Sequence, residues 1–262
     1  MTRTFRAELL KLRRRRVAVA VLVGATAFAA LASTLVFLSA ADAGERVSGR
    51  GATVASLGQA GGATEAFSIG VSGAGILVLV LFIANFAGEF SQGTFRTLLM
   101  RQPRRVGLLA GKMAALLVLA AVALAVAEVL TVVASSVIAP SQDVSTASWF
   151  GIDALGEAAR NYVTALFGVA AWASLGMAVA VFVRSIPVAL AIGIVWSGPF
   201  EHLLQDAWTA ASQWFPGLLL EALAVGGTAD VSSSRALTLV SLYVAAAVCA
   251  AAFVFARRDI TA

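Results

Sequence analysis

Long uncharged apolar runs alternate along the chain with short basic or polar segments, and the runs predict helices of membrane-crossing length. Val17–Ala41 holds 25 residues without a charge and Ala66–Gly88 holds 23. Met113–Ala139 is interrupted only by Glu128, and Asn161–Val183 and Ala236–Ala256 are again free of charge. Each exceeds the roughly 20 residues that cross about 30 Å of hydrocarbon at 1.5 Å per residue. One further run, 185–200, has only 16 residues between Arg184 and Glu201. At about 24 Å of helix it must be short, kinked, or helped by Arg184 reaching back to the interface. The pattern therefore predicts six spans: 17–41, 66–88, 113–139, 161–183, 185–200 and 236–256.

The segments between the runs differ in character. Residues 1–16 place Phe5, Leu9 and Leu12 on one helical face and most of the basic side chains elsewhere. Such a helix lies flat on an anionic surface, gaining about 1 kcal/mol per basic residue; the same residues also serve as a plain positively charged anchor. The segment 42–65 is rich in Gly, Ala and Ser, without hydrophobic periodicity, and reads as irregular. Residues 201–232 carry Leu203, Leu204, Ala207, Trp208, Ala211 and Phe215 at near-helical spacing, then Pro216-Gly217. That spacing predicts an amphipathic helix at the outer interface, with Trp208 and Trp214 at headgroup depth. The run Leu218–Leu220 and Ala222–Ala224 is apolar enough to dip back into the membrane. No internal repeat period is visible.

Composition supports a bilayer as solvent. Of 262 residues 60% are hydrophobic and 13% charged, with mean hydropathy +0.91, against about 45–50% and about 25% for an ordinary soluble domain. The length suits one membrane domain, 1–262, without a separate soluble one. The net charge of +5 does not indicate nucleic acid, because the charges flank apolar runs and no aromatic residues are interleaved to stack bases. Fifteen of the 19 Lys and Arg residues fall on one side of the six-span topology and four (Arg46, Arg50, Arg160, Arg235) on the other. The rule that basic loops stay in the cytoplasm then puts both termini inside. The basic start with Ala41-Asp42-Ala43 looks like a secretory signal, but its apolar run is about twice the usual core of ~7–15 residues. It is kept as the first span. A single cysteine, Cys249, and a single histidine, His202, leave no intrachain disulfide and no His-rich metal site.

The inner segment 89–112 is the most informative: Glu89-Phe90-Ser91-Gln92-Gly93-Thr94-Phe95-Arg96-Thr97-Leu98-Leu99, then Pro103-Arg104-Arg105, then Ala110-Gly111-Lys112. Thr94 can cap a short helix whose apolar face is Phe95, Leu98 and Leu99, and Pro103 ends it. That face suits docking into a partner's groove, with Arg96, Arg101, Arg104 and Arg105 available to acidic residues or lipid phosphate. A basic inner loop without a partner has the same composition. The pattern Glu-x3-Gly-Thr-x-Arg-x-Leu-Leu, Pro-x-Arg, Ala-Gly-Lys resembles the ABC-2 type permeases, the membrane subunits of many bacterial ABC exporters. The resemblance covers about 24 residues by motif, and span count and the basic N-terminal helix extend it along most of the chain. It implies that Glu89, Gly93, Thr94, Phe95, Arg96, Leu98, Leu99, Pro103 and Arg105 form a coupling element for an ATPase subunit. It also implies a bacterial cell-membrane location, extracellular helices before the last span, and a working unit of two permeases with two cytoplasmic ATPases. ATP and Mg2+ would belong to those partners. The chain offers no phosphate-binding loop of its own, since Gly107–Lys112 has the wrong spacing and Met113 replaces the required hydroxyl.

Within the spans, Glu128 lies midway along the third run, where an ionisable group costs a few kcal/mol and should face a cavity or the bundle interior. It reads either as a polar point on a substrate path or as a neutral carboxyl that packs helices. Asn85, near the inner end of the second run, is the other candidate for such a path. With Gly70, Gly73 and Gly75 it also reads as ordinary close packing. No arrangement of Ser, His and Asp suggests nucleophilic catalysis. The sequence thus points to an all-α integral membrane permease, driven through residues 89–112, that exports an amphipathic or hydrophobic cargo such as a drug, antibiotic, peptide or lipid. The rival readings are an ion-coupled secondary transporter, which needs intramembrane carboxylates or broken helices, and a non-transport membrane scaffold.

Overall fold

The computed structural model describes residues 2–40, 52–101 and 104–257. Among them the regular structure is helical, without a β-strand; one isolated antiparallel bridge joins Gly227 and Ser232. The helices are α1 (Thr2–Leu12), α2 (Arg15–Leu38), α3 (Val54–Leu57), α4 (Gly62–Gly73), α5 (Gly75–Ser91), α6 (Thr94–Arg101), α7 (Arg105–Ile138), α8 (Ile152–Val183), α9 (Ile186–Val195), α10 (Glu201–Ala207), α11 (Pro216–Ala224) and α12 (Ser233–Arg257). Five helical stretches are long and apolar enough to cross a membrane: α2, α7 with its extension to Gln142, α8, α9 continued through α10, and α12. The pair α4 and α5, broken at Ala74, makes a sixth if it is one span. The fold fits a membrane-embedded chain.

Several boundaries differ from the pattern of uncharged runs. The third helix starts at Arg105 rather than 113, and the fourth at Ile152 rather than 161. Charges end a hydrophobic run, but they do not end a helix, whose backbone bonds continue into the polar zone. The fifth run does not stop at Glu201. A five-residue π-helical turn, Trp196–Phe200, carries Pro199 and joins α9 to α10. Proline lacks an N–H and clashes with the carbonyl four residues earlier, which a wider turn accommodates. The amphipathic helix expected across 201–215 is broken: α10 ends at Ala207, Trp208 is extended at φ −139 and ψ 102, and a short 3-10 turn covers Thr209–Gln213. In the Gly-rich segment, 42–51 lie outside the described residues. Beyond them Thr53 and Ser56 close a reciprocal cap that starts α3.

The chain divides into two compact units, Leu12–Gly73 with Val118–Phe167, and Met1–Lys11 with Ala74–Leu117 and Gly168–Ala262. In the first, α2 packs on α4 at Gly70, where an added Cβ would lie 2.8 Å from Cζ of Phe28. Gly73, by contrast, has nothing within 4 Å. The core of this unit gathers Phe37, Leu57, Ala63, Ala66, Ala139 and Trp149. Trp149 is edge-on to Phe37 at 6.3 Å and donates from Nε1 to the Leu57 carbonyl at 2.8 Å. In the second unit α5 packs on α9 and α11 on α12, and Gly75 abuts the Trp172 indole.

Trp149 joins two segments remote in sequence, so its loss should be felt widely. Trp149→Ala should lower stability by about 3–5 kcal/mol, the usual cost of emptying a large aromatic site. Trp149→Phe keeps the ring but strands the Leu57 carbonyl and should lose about 1–3 kcal/mol. Unfolding of detergent-solubilised protein, followed by helical circular dichroism, checks both values and their order.

Candidate functional site

The segment that the sequence marks out forms a compact junction in the second unit. Helix α5 closes with Gln92 N bonded to the Gly88 carbonyl at 3.0 Å, and Gly93 then turns the chain at φ +67. That left-handed conformation is open to glycine and strained for most other residues. The Gly93 carbonyl accepts from Thr97 N at 3.3 Å. Gly93, not Thr94, therefore occupies the capping place, and Thr94 is already inside α6, correcting the expected role of its hydroxyl.

The eight residues of α6 are not presented as the sequence suggests. Phe95 is fully buried, with its ring 4.6 Å from Phe90 and 5.3 Å from Phe255 near the end of α12; Phe90 and Phe255 lie 5.9 Å apart. Phe95 is thus the root that holds α6, not part of an outward docking face. Helical periodicity shows which residues share a face, but the direction of that face depends on α12, which lies about 150 positions away. Leu98 and Leu99 are half-buried, while Thr97 and Met100 are exposed. Arg96 lies within α6; its side chain, and Pro103 altogether, fall outside the described residues. Arg105 opens α7 and donates from Nη1 to the Ala256 carbonyl at 3.4 Å, a second tie to the end of α12.

Beside this aromatic socket Glu89 and Lys112 form an ion pair, their side chains 15% and 4% exposed. The Lys112 ammonium also lies 5.3 Å from the Phe86 ring centre. Arg184, in the bend between α8 and α9 at φ 57, sets its guanidinium 5.4 Å from the Phe90 ring centre. The sequence placed Lys112 and Arg184 among the orienting charges and missed these contacts. Glu89 ends one apolar run and Lys112 precedes the next. Opposite charges at the two feet of a helical hairpin were the available signal.

A second cluster centres on Glu201, which the sequence treated only as the end of a run. It is 1% exposed. Its Oε2 accepts from Leu218 N at 3.1 Å, while Oε1 is buried without a hydrogen-bond partner among the described residues. Any Cβ on Gly217 would collide with that carboxylate. His202 adds a contact from α10 to α11, Nε2 to Glu221 Oε1 at 3.2 Å. The two path candidates belong to different units. Asn85 is exposed on α5, and Glu128 is half-buried on α7 with Oε1 lacking a hydrogen-bond partner among the described residues.

A family model described as "Protein of unknown function (DUF2705)" matches residues 50–261. The chain belongs to that family. No curated protein matches it. The DUF2705 match begins just ahead of α3 and takes in both clusters, leaving α1 and α2 before it.

For this DUF2705 chain the Glu89–Lys112 pair gives a sharp test. Lys112→Met should destabilise by about 3–5 kcal/mol, because it leaves a largely buried carboxylate without its cation. The double variant Glu89→Gln with Lys112→Met should recover most of that loss. Thermal or denaturant unfolding of the three variants in one detergent measures the coupling, and equal losses in single and double variants would refute it.

Proposed function

We propose that this protein is the membrane-spanning permease subunit of an ABC-2 type exporter. Its topology has six spans with both termini cytoplasmic, in a bacterial inner membrane. The observation that carries the reading is the construction of α6. It is a short helix set off from α5 by Gln92 and a glycine turn at Gly93, rooted by Phe95, with Met100 exposed, Leu98 and Leu99 half-buried, and Arg104 and Arg105 following it along the chain. Such a helix offers a small apolar ridge with a basic edge, suited to a groove on a cytoplasmic ATPase. Two permeases and two ATPases form the working unit. ATP and Mg2+ bind the partners, and closure of the ATPases tilts the permeases as rigid bodies between inward and outward access. The cargo is amphipathic or hydrophobic, and Glu128 is the polar point on its path.

A second reading, an ion-coupled transporter, draws on one specific observation: the span from α9 to α10 is interrupted by a π-helical turn with a buried carboxylate directly after it. The two readings separate in proteoliposomes, where the first requires ATP and a P-loop partner and the second an ion gradient alone.

The proposal predicts a P-loop ATPase encoded in a neighbouring reading frame, and pairing the chain with that protein tests it. Co-expression should yield a stable complex whose ATPase activity depends on the permease. Leu98→Glu with Leu99→Glu should weaken that complex about thirtyfold, as expected for loss of a central apolar anchor, without loss of helical circular dichroism. A folded permease that never associates with such an ATPase would overturn the assignment.

A further inference from the structure

The geometry points to a binding site for the phosphate of an anionic phospholipid in the hollow beside the first turns of α12. The hollow measures about 340 Å3 and is lined by Trp214, Ser234, Arg235, Thr238 and Leu239. Its lining separates by chemistry. Arg235 and the hydroxyls of Ser234 and Thr238 sit in the first two turns of α12, whereas Trp214 and Leu239 give an apolar wall. On the same helix Leu237 and Leu242 are exposed, so apolar surface continues along α12 beyond the hydroxyls.

The cation is already organised for an anion. The Arg235 guanidinium lies 5.6 Å from the Trp214 ring centre. Trp214 is itself tied down, since its carbonyl accepts from the Tyr243 hydroxyl at 2.8 Å. A guanidinium attracted to an aromatic ring keeps N–H groups for further acceptors, and its fork can grip phosphate oxygens in pairs. No carboxylate lines the hollow, and among the described residues none lies within ion-pair reach of Arg235. The charge is thus balanced by nothing described in the chain. Thr238 Oγ1 already donates to the Ser234 carbonyl at 2.8 Å, so the Ser234 hydroxyl and the positive end of a 25-residue helix are what add to the same preference.

The apolar wall selects the source of the phosphate. A free phosphate ion keeps its hydration on every side and gains nothing from indole and leucine. A phospholipid presents a phosphate at interface depth with an acyl chain directly beneath it, matching a head of Arg and Ser above a wall of Trp and Leu. The inference requires only that the chain sits in a bilayer, and it stands whether or not the exporter reading holds.

The experiment uses the full-length chain, delipidated in zwitterionic detergent, with its thermal unfolding midpoint titrated against phosphatidylglycerol, phosphatidylcholine of the same acyl chains, and inorganic phosphate. Phosphatidylglycerol should raise the midpoint of the wild type more than either alternative does. Arg235→Gln should weaken the apparent affinity about tenfold, the usual scale for one charge-assisted contact. Trp214→Leu keeps the wall but removes the aromatic ring that the guanidinium faces, and should weaken it severalfold. Arg160→Gln, an exposed arginine outside the hollow, should leave it unchanged. Equal responses of wild type and Arg235→Gln, an equal effect of phosphatidylcholine, or full stabilisation by inorganic phosphate would each overturn the proposal.

Discussion

The constraint on which this fold depends is that apolar surroundings offer no water to backbone N–H and C=O groups, so each must find its partner within the chain. Helices meet that demand internally, and the interesting places are where they stop meeting it. At the π-helical turn Trp196–Phe200, proline removes a donor, and side chains attend the groups around it. Ser197 Oγ donates to the Gly193 carbonyl at 2.7 Å and His202 Nδ1 meets the Gly198 carbonyl at 2.8 Å. Glu201 then accepts from the Leu218 amide in the first turn of α11. In the other unit Trp149 and Ser148 supply donors to the carbonyls of Leu57 and Gly58, at the end of α3. At these breaks polar side chains close what the break opens, whereas buried hydroxyls inside continuous helices, such as Ser33 and Ser135, bond to each other or to a helix carbonyl.

Charge follows a parallel rule. An ionised side chain removed from water is tolerated when an opposite charge and further contacts accompany it. Lys112 has both, with Glu89 for a partner and the Phe86 ring beside it. Glu201 has the Leu218 amide in place of a cation. Glu128, on a helix of spanning length, has an oxygen that none of the described residues satisfies. Glu89 and Glu201 each also keep one buried oxygen without such a partner, so what distinguishes them is the other oxygen, which faces Lys112 in Glu89 and the Leu218 amide in Glu201.

The sequence made the spans readable because hydrocarbon thickness imposes a length and a composition that a run of residues either meets or fails. It made the junction 89–112 readable as a special segment because Gly93, Pro103 and the arginines break an otherwise apolar register. What it could not give was direction. Phe95 and Leu98 share a helical face on paper, but Phe95 is claimed by Phe255, and no periodicity within α6 encodes a residue in α12. Glu201 was hidden for a related reason. A lone carboxylate after an apolar run looks like the water boundary unless the amide of Leu218 is known to fold back onto it. Local pattern thus found the elements, and long-range contact decided their meaning.

Under the exporter reading, those same contacts determine where a push on α6 would go. Helix α6 is joined to α5 through Gln92-Gly93 and through Phe95 packed on Phe90, and to the end of α12 through Phe95 packed on Phe255, with Arg105 on the Ala256 carbonyl just beyond. A close-packed aromatic contact transmits displacement better than a glycine turn, because packed rings cannot interpenetrate whereas a glycine can rotate. Force applied to the ridge of α6 would therefore reach both α5 and α12 through packed rings rather than through the glycine. Helix α12 in turn packs on α11, whose Leu218 amide is held by Glu201 at the break in the α9–α10 span. The chain of contacts runs from the basic junction to the broken span through the last helix, and each link is a burial or a hydrogen bond, not a flexible loop. Under that reading, a coupling element built this way moves a span whose helix is already interrupted at Trp196–Phe200.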